Sequence, residues 1–200
     1  ADRLKKMCSW PVARVFFGLS GSDANDTQFK LVWLFNWLRG KPEKRKIISR
    51  HHGYHGSTVA AASATGLPAA HDIFGLPLPG FLHVRAPYPY REMKPGQSEA
   101  EFVADLADEL DATIEAEGPE TVGAFIAEPV MGAGGVIVPP AGYFPAIQEV
   151  LRRHDVLLIA DEVITGFGRL GRTWGCEALD IEPDLVSIAK GLTSGYAPLS

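Results

Sequence analysis

VLLIADEV (156–163) is an apolar run of strand length with two carboxylates, Asp161 and Glu162, near its end. A second such run, DLVSIAKG (184–191), brings an amine, Lys190, to its end. Runs this rich in Val, Ile and Leu are typical of strands that helices cover on both faces. The sequence therefore predicts two buried strands that place Asp161 and Lys190 at their tips.

Other apolar runs of strand length alternate with longer helical patterns along the chain. The remaining strand candidates are RVFFGLS (14–20), RKIISR (45–50), GFLHVRAP (80–87) and VGAFIAEP (122–129). The helix candidates are residues 23–39, 57–66, 99–117 and 142–154. This alternation predicts an α/β fold of three layers, α/β/α, around a mostly parallel sheet in one domain.

The composition disfavours two classes of partner. The 200 residues carry a formal net charge of −5 and no basic run, which argues against nucleic acid and anionic membranes. No apolar stretch approaches the roughly 20 residues that cross a bilayer, and residues 1–10 lack a signal-peptide core. Cys8 and Cys176 have no CxxC spacing, so we expect free thiols and a cytoplasmic location.

Polar or glycine-rich segments follow five of the predicted strands. They are SGSD (20–23), HHGYHG (51–56), Glu128, Asp161 and Lys190. Ligands of open α/β sheets bind beyond the carboxyl ends of the strands. We therefore expect these five tips to form a single site at one edge of the sheet.

The segment SGSDA (20–24) joins a strand to a helix and admits two interpretations. Gly21 and Ser22 at a helix N-terminus favour an anion such as phosphate. A serine followed by Asp23 is equally typical of an ordinary N-cap. The segment lacks the GxxxxGK[ST] pattern, so ATP binding of the Walker type is not indicated.

Two further tips carry an aromatic ring and a carboxylate. Tyr54 lies between glycines, where it either stacks on a flat heteroaromatic ring or is a half-buried loop tyrosine. Glu128 is either a buried acid held by hydrogen bonds or a solvated strand end. The three histidines of HHGYHG have no second ligand cluster elsewhere, so we expect no metal site.

Asp161 and Lys190 suggest a specific chemistry. Aspartate inside an apolar run is rarely buried without a partner, and a carboxylate facing a pyridine nitrogen makes that ring a better electron sink. An amine among Ile188 and Ala189 is expected to lose its proton more easily and to act as a nucleophile. The pair therefore indicates a pyridine-based cofactor with an aldehyde. Val163, on the same face as Asp161, is placed to cover one side of its ring.

In its tip motifs the chain resembles the class III aminotransferases, which are enzymes of fold type I that depend on pyridoxal 5′-phosphate. The motifs are SGSDA, GYHG, AEPVMGAGGVIVPP (127–140), LLIADEVITGFGRLG (157–171) and SIAKGLTSGY (187–196). The nearest resemblance is to ω-transaminases of the amine:pyruvate type. The resemblance implies that residues 1–200 are part of the large cofactor-binding domain, without an N-terminal segment and a small C-terminal domain.

The resemblance also implies a role for each matched residue. Lys190 would hold the cofactor as a Schiff base and move protons, and Asp161 would pair with the pyridine nitrogen. Tyr54 and Val163 would sandwich the ring. Gly21 and Ser22 would bind the phosphate, and Glu128 would position the cofactor or its neighbours.

One position separates the branches of the family. Members that act on ornithine or 4-aminobutyrate tend to carry glutamine directly after the DEV motif, whereas this chain has Ile164. That difference disfavours ornithine-type specificity and fits the ω-transaminase branch. The expected reaction moves an amino group from an amine to a keto acid such as pyruvate, in a homodimer whose site also uses residues outside this chain. We expect the 200 residues alone to be inactive.

Two other functions are compatible with parts of the pattern. A racemase, aminomutase or decarboxylase of the same family would use the same Asp161 and Lys190, because substrate orientation separates these reactions. A dinucleotide-binding domain is the second alternative, and it is disfavoured because the chain has no GxGxxG fingerprint.

Overall fold

A computed structural model describes the backbone of residues 1–200 and every side chain except that of residue 70. Five strands form one parallel sheet in the order β2-β1-β3-β4-β5. They are β1 (Lys46–Arg50), β2 (Phe81–Val84), β3 (Val122–Ala127), β4 (Leu157–Asp161) and β5 (Leu185–Ser187). The predicted α/β fold with a parallel sheet is confirmed, and five of the six predicted strands form.

Seven α-helices connect and cover the strands. They are α1 (Asp2–Met7), α2 (Gly21–Leu38), α3 (Val59–Ala64), α4 (Pro89–Glu92), α5 (Glu99–Glu117), α6 (Tyr143–Arg153) and α7 (Gly175–Ala178). The four predicted helices form as α2, α3, α5 and α6, whereas α1, α4 and α7 were not predicted. In the described part of the chain, no helix combines the length and apolarity needed to cross a membrane.

The strands alternate their side chains between two buried layers, as period-two geometry requires. On one face, Ile47 and Ile159 pack with Phe29 and Val32 of α2. On the other face lies the larger core, which contains Ile48, Phe125 and Leu158 together with residues of α5 and α6. Helices on both faces explain why the strands read as continuous apolar runs.

The long helix α5 follows its sequence signals closely. Ser98 and Glu101 form a capping box, in which each side chain bonds the backbone N–H of the other residue. The four apolar residues at four-residue spacing are all buried: Phe102, Leu106, Leu110 and Ile114. Gly118 ends the helix with φ +86°, a conformation that favours glycine.

The predicted strand RVFFGLS (14–20) is wrong, because these residues are irregular up to the start of α2. Phe16 and Phe17 are exposed, and a groove of about 420 Å³ separates their segment from the edge strand β5. A strand needs a neighbour for its hydrogen bonds, and among the described residues this segment has a single reciprocal backbone pair, between Gly18 and Ser200. The apolar pattern alone does not supply that neighbour.

Lys44, which its polar sequence context marks as solvated, is instead buried at the N-terminal end of the sheet. Its Nζ donates to the carbonyl oxygens of Pro119, Val122 and His154 at 2.9–3.0 Å. Burial lowers the pKa of this amine. Lys44 therefore ties together the starts of β1, β3 and β4.

Replacing Lys44 with methionine is expected to lower the free energy of unfolding by about 3 kcal/mol, because three carbonyls lose a charged donor. Lys41→Met is the matched control, since Lys41 forms only a half-exposed ion pair with Asp155 and should cost less than about 1 kcal/mol. Urea unfolding measures both. Equal effects of the two substitutions would show that the buried amine is not a stabilising link.

Three imidazoles lie together beside the C-terminal ends of β1 and β2. The ring of His83 stacks on His51 at 5.6 Å between centroids, and His71 lies 5.4 Å away. Burial, and then the two neighbouring imidazoles, lower the pKa of His83 to about 4. His83 is consequently neutral in the folded protein near neutral pH.

The low pKa of His83 predicts an acid-sensitive fold. Unfolding raises the pKa from about 4 to the ordinary 6.5, so protons bind the unfolded state more strongly between these values. The contribution is present above pH 6.5 and is lost as the pH falls towards 4. Urea midpoints at pH 7 and pH 5 should differ less for His83→Gln than for the unaltered protein. An unchanged difference would contradict this assignment.

Candidate active site

A cavity of about 310 Å³ opens at the carboxyl edge of the sheet. Residues from all five predicted tips line it, among them Ser20, Gly21, Ser22, Tyr54, His55, Glu128, Asp161, Val163, Ile164 and Lys190. Its size is near the lower end of the roughly 300–1,000 Å³ typical of small-molecule sites. The prediction that the tips converge on one edge is confirmed.

The start of α2 forms the polar end of this cavity. Ser20 is the N-cap, and its hydroxyl accepts from the Asp23 N–H at 3.2 Å. Ser22 has a different bond, because its Oγ accepts from the Ser57 N–H at 3.0 Å. The N–H groups of Gly21 and Ser22 precede the helical ladder and are therefore available to an anion. The capping and anion-binding interpretations thus apply to different residues of one segment.

Glycine at two positions allows the elements around this end to approach closely. A Cβ built on Gly21 would lie 2.9 Å from Cγ2 of Val163, at the tip of β4. A Cβ on Gly56 would lie 2.6 Å from Oγ of Ser22, and Gly56 has φ +141°. A larger residue at either position would push apart the two sides of the cavity.

Asp161 is 4% exposed, so the predicted burial of this carboxylate is confirmed. Its Oδ2 lies 2.9 Å from both Nδ2 of Asn25 and Nδ1 of His55. Its Oδ1 accepts from the Val163 N–H at 3.2 Å. Three donors hold the carboxylate, which explains how it is tolerated inside an apolar sheet.

His55 and Asn25 are site residues that the motifs do not single out. His55 is 2% exposed, and its Nε2 has no hydrogen-bond partner among the described residues. Within the same residues, no group of three metal-ligating side chains forms a metal site. The HHGYHG segment therefore contributes His55 as a hydrogen-bond partner of the Asp161 carboxylate. In the sequence, the position of His55 next to Tyr54 is the feature that could have pointed to this role.

Glu128 is 3% exposed, which confirms the buried-acid interpretation over a solvated strand end. Its Oε1 accepts from the Tyr54 N–H at 3.0 Å, and its Oε2 accepts from the Gly132 N–H at 2.8 Å. Glu128 thus fixes the backbone of Tyr54, whose half-exposed ring lines the cavity. That Tyr54 and Val163 cover the two faces of a ligand ring stays a prediction.

Lys190 lines the cavity but is exposed, so the predicted apolar enclosure of its amine is wrong. The reason is that Lys190 starts a 3₁₀ turn (Lys190–Leu192) that opens into a largely exposed segment. Its φ is +33°, a left-handed conformation that costs a non-glycine residue about 1–2 kcal/mol. Backbone strain of this kind concentrates at functional sites.

Glu162, next to Asp161, faces away from the cavity and has a structural role, as its alternation in the strand predicts. It is fully buried, and it accepts hydrogen bonds from the Cys176 N–H and from the Thr165 hydroxyl. Burial and then the Glu162 carboxylate raise the pKa of the Cys176 thiol. Cys176 and Cys8 are both free thiols.

The sequence model of the Aminotransferase class-III family matches residues 1–200. The "Uncharacterized aminotransferase y4uB" of Sinorhizobium fredii is 58% identical over the whole chain, which covers 43% of that protein. A "Gamma aminobutyrate transaminase 3, chloroplastic" of Solanum lycopersicum is 57% identical over 188 residues, which are 94% of this chain and 36% of that protein. The chain thus spans less than half the length of these relatives.

A solved structure has the same fold as the chain. The omega transaminase of Pseudomonas jessenii, in complex with PMP, superposes with a TM-score of 0.98 at 55% identity. The match covers 100% of this chain and 44% of that one.

Proposed function

The chain belongs to the class III aminotransferases, and from that premise we propose that the full-length protein is a pyridoxal-phosphate-dependent transaminase. The observation that carries the proposal is the meeting of Asp161, Lys190 and the α2 N-terminus in one cavity. These three groups match three polar parts of the cofactor: its ring nitrogen, its aldehyde and its phosphate.

The residues of the cavity fit this cofactor. Asp161 is a buried carboxylate whose Oδ1 has one bonded donor and further acceptor capacity. The N–H groups of Gly21 and Ser22 offer an anion site at the start of an 18-residue helix. Tyr54 and Val163 supply an aromatic and an apolar surface. We propose that these residues, with Lys190, hold the cofactor.

The bound cofactor would supply an electron sink and a carrier for the amino group. The chain's own residues would do the rest. Lys190 Nζ would bond the cofactor and transfer a proton at the substrate carbon. Asp161 would keep the ring nitrogen protonated. Glu128 would hold the Tyr54 backbone and so fix the position of the aromatic ring.

For substrates, we propose an amine or ω-amino donor and a keto acid acceptor such as pyruvate. Ile164 lines the cavity with an apolar side chain that offers no hydrogen bond. The Solanum lycopersicum relative is named a gamma aminobutyrate transaminase, so 4-aminobutyrate is one candidate donor. The similarity to the Pseudomonas jessenii structure supports an omega transaminase. A donor panel with pyruvate would separate these choices.

We further propose that residues 1–200 are part of the large cofactor-binding domain of a longer, cytoplasmic and homodimeric protein. The support is that the chain covers 43% and 36% of two relatives and that Lys190 is exposed here. The isolated 200 residues are then expected to have no turnover.

Consumption of pyruvate by the full-length protein in the presence of an amine donor tests the proposal. Alanine should form in a one-to-one ratio with the ketone or aldehyde derived from the donor. Absence of this exchange in a protein with bound cofactor would contradict a transaminase. Product formed from an amine alone, without any keto acid, would instead indicate a racemase, an aminomutase or a decarboxylase.

A further inference from the structure

Asn25 of α2 links the Asp161 carboxylate, at the end of β4, to β5 and to the segment that contains His55. Asn25 lies on the second turn of α2 and is fully buried. Its Nδ2 donates to Asp161 Oδ2 at 2.9 Å and to the backbone oxygen of His55 at 2.7 Å. Its Oδ1 accepts from the hydroxyl of Ser187, on β5.

The amide of Asn25 has one orientation that satisfies all of its neighbours. Both protons of Nδ2 point to acceptors, and Oδ1 receives the Ser187 hydroxyl. The reversed amide would set Oδ1 against the Asp161 carboxylate and against a carbonyl oxygen, leaving buried acceptors without donors. The Asp161 carboxylate and the His55 carbonyl oxygen therefore select the orientation in which Asn25 donates, and the Ser187 hydroxyl satisfies its Oδ1.

We propose that Asn25 is a positioning residue, which together with Ser187 holds the Asp161 carboxylate in the orientation that meets the ring nitrogen of the cofactor. The inference rests on the proposed function. Asn25 occupies Oδ2 of Asp161, which leaves Oδ1, with a single 3.2 Å bond from the Val163 N–H, as the oxygen with acceptor capacity to spare.

Removing the Asn25 donor has two consequences for the carboxylate. His55 Nδ1 becomes the only side-chain donor to Oδ2, so rotation of the carboxylate is less restricted. A buried carboxylate with fewer hydrogen bonds is also less well compensated for its loss of water. Both effects weaken the bond to a protonated ring nitrogen, and neither changes the phosphate end of the cavity.

The test compares two ligands that differ only at the ring nitrogen. Pyridoxamine phosphate and its 1-deaza analogue, in which carbon replaces that nitrogen, are titrated into the full-length apoprotein by calorimetry. The ratio of their dissociation constants isolates the contribution of the ring nitrogen. Both ligands lack the aldehyde, so Lys190 forms no covalent bond with either.

Asp161→Asn is the reference variant and should erase the preference for pyridoxamine phosphate. Asn25→Ala should lower that preference roughly tenfold, as expected for one charge-assisted hydrogen bond. Ser187→Ala should lower the preference by a smaller factor, because the Oδ1 of Asn25 loses its donor and the amide is then held less firmly. The matched control is Asn36→Ala: Asn36 is a fully buried asparagine of the same helix that bonds the backbone oxygens of Val32 and Lys44.

The outcomes separate the inference from the proposed function. A reduced preference in Asn25→Ala and Ser187→Ala, with none in Asn36→Ala, supports the positioning role. An unchanged preference in both site variants, while Asp161→Asn erases it, overturns the role of Asn25 and leaves the proposed function standing. No preference in the unaltered protein would overturn both, because Asp161 would not face the ring nitrogen.

Discussion

Replacing Lys190 with alanine is expected to lower kcat for transamination by about 10⁴-fold or more in the full-length protein. A positioned acid–base group contributes up to about 10⁴-fold by itself, and the same amine is also the proposed nucleophile. The 3₁₀ turn that presents Lys190 is exposed. The substitution should therefore leave the fold intact and remove only the chemistry.

The loss is measured as the rate of alanine formation from pyruvate with a saturating amine donor. Lys94→Ala is the matched control, because Lys94 is an exposed lysine whose ion pair with Asp105 lies outside the cavity. Its kcat should equal that of the unaltered protein. A Lys190→Ala protein with activity within tenfold of normal would exclude Lys190 as the reactive amine.

Replacing Asp161 with asparagine is expected to lower kcat by about 10²–10³-fold, a cost typical of removing one preorganised group that stabilises a transition state. The amide has the volume of the carboxylate but no charge, so the ring nitrogen would lose its partner. Asn25 and His55 would face a neutral group in place of an anion. Covalent attachment at Lys190 should persist.

Asp184→Asn is the control for this effect. Asp184 accepts from the Leu158 N–H at the start of β4, at the end opposite the cavity, so its replacement should change stability slightly and kcat not at all. Kinetics with a saturating donor, together with borohydride labelling, separate catalysis from attachment. A kcat within threefold of normal in Asp161→Asn would contradict its role as the partner of the ring nitrogen.

The fold was predictable where local patterns dominate. The runs that became β1 to β5 are apolar because helices bury both faces, and α5 shows its apolar spacing and its capping box in the sequence. The convergence of the tips follows from parallel strands, whose carboxyl ends share one edge. Tyr54, Glu128, Asp161 and Lys190 were identifiable on that basis, whereas Gly21 follows an irregular segment and was identifiable only from its helix-start motif.

The features that sequence reasoning missed depend on contacts between distant residues. RVFFGLS has a strand pattern, but the chain offers it no neighbouring strand. Asn25 bonds Asp161 and Ser187, which lie 136 and 162 residues further along the chain. The burial of Lys44 depends likewise on the carbonyl oxygens of Pro119, Val122 and His154, which lie 75 to 110 residues further along the chain. Hydrophobic periodicity contains no information on such pairings.

Borohydride reduction of the full-length protein, followed by peptide mapping, shows whether Lys190 is the lysine that holds pyridoxal phosphate. The reductant makes the bond between the cofactor and its lysine permanent, so that the labelled residue can be identified by mass. We predict one label per chain, on the peptide that contains Lys190. A label on any other lysine, or no label at all, would contradict the assignment of this cavity as a pyridoxal phosphate site.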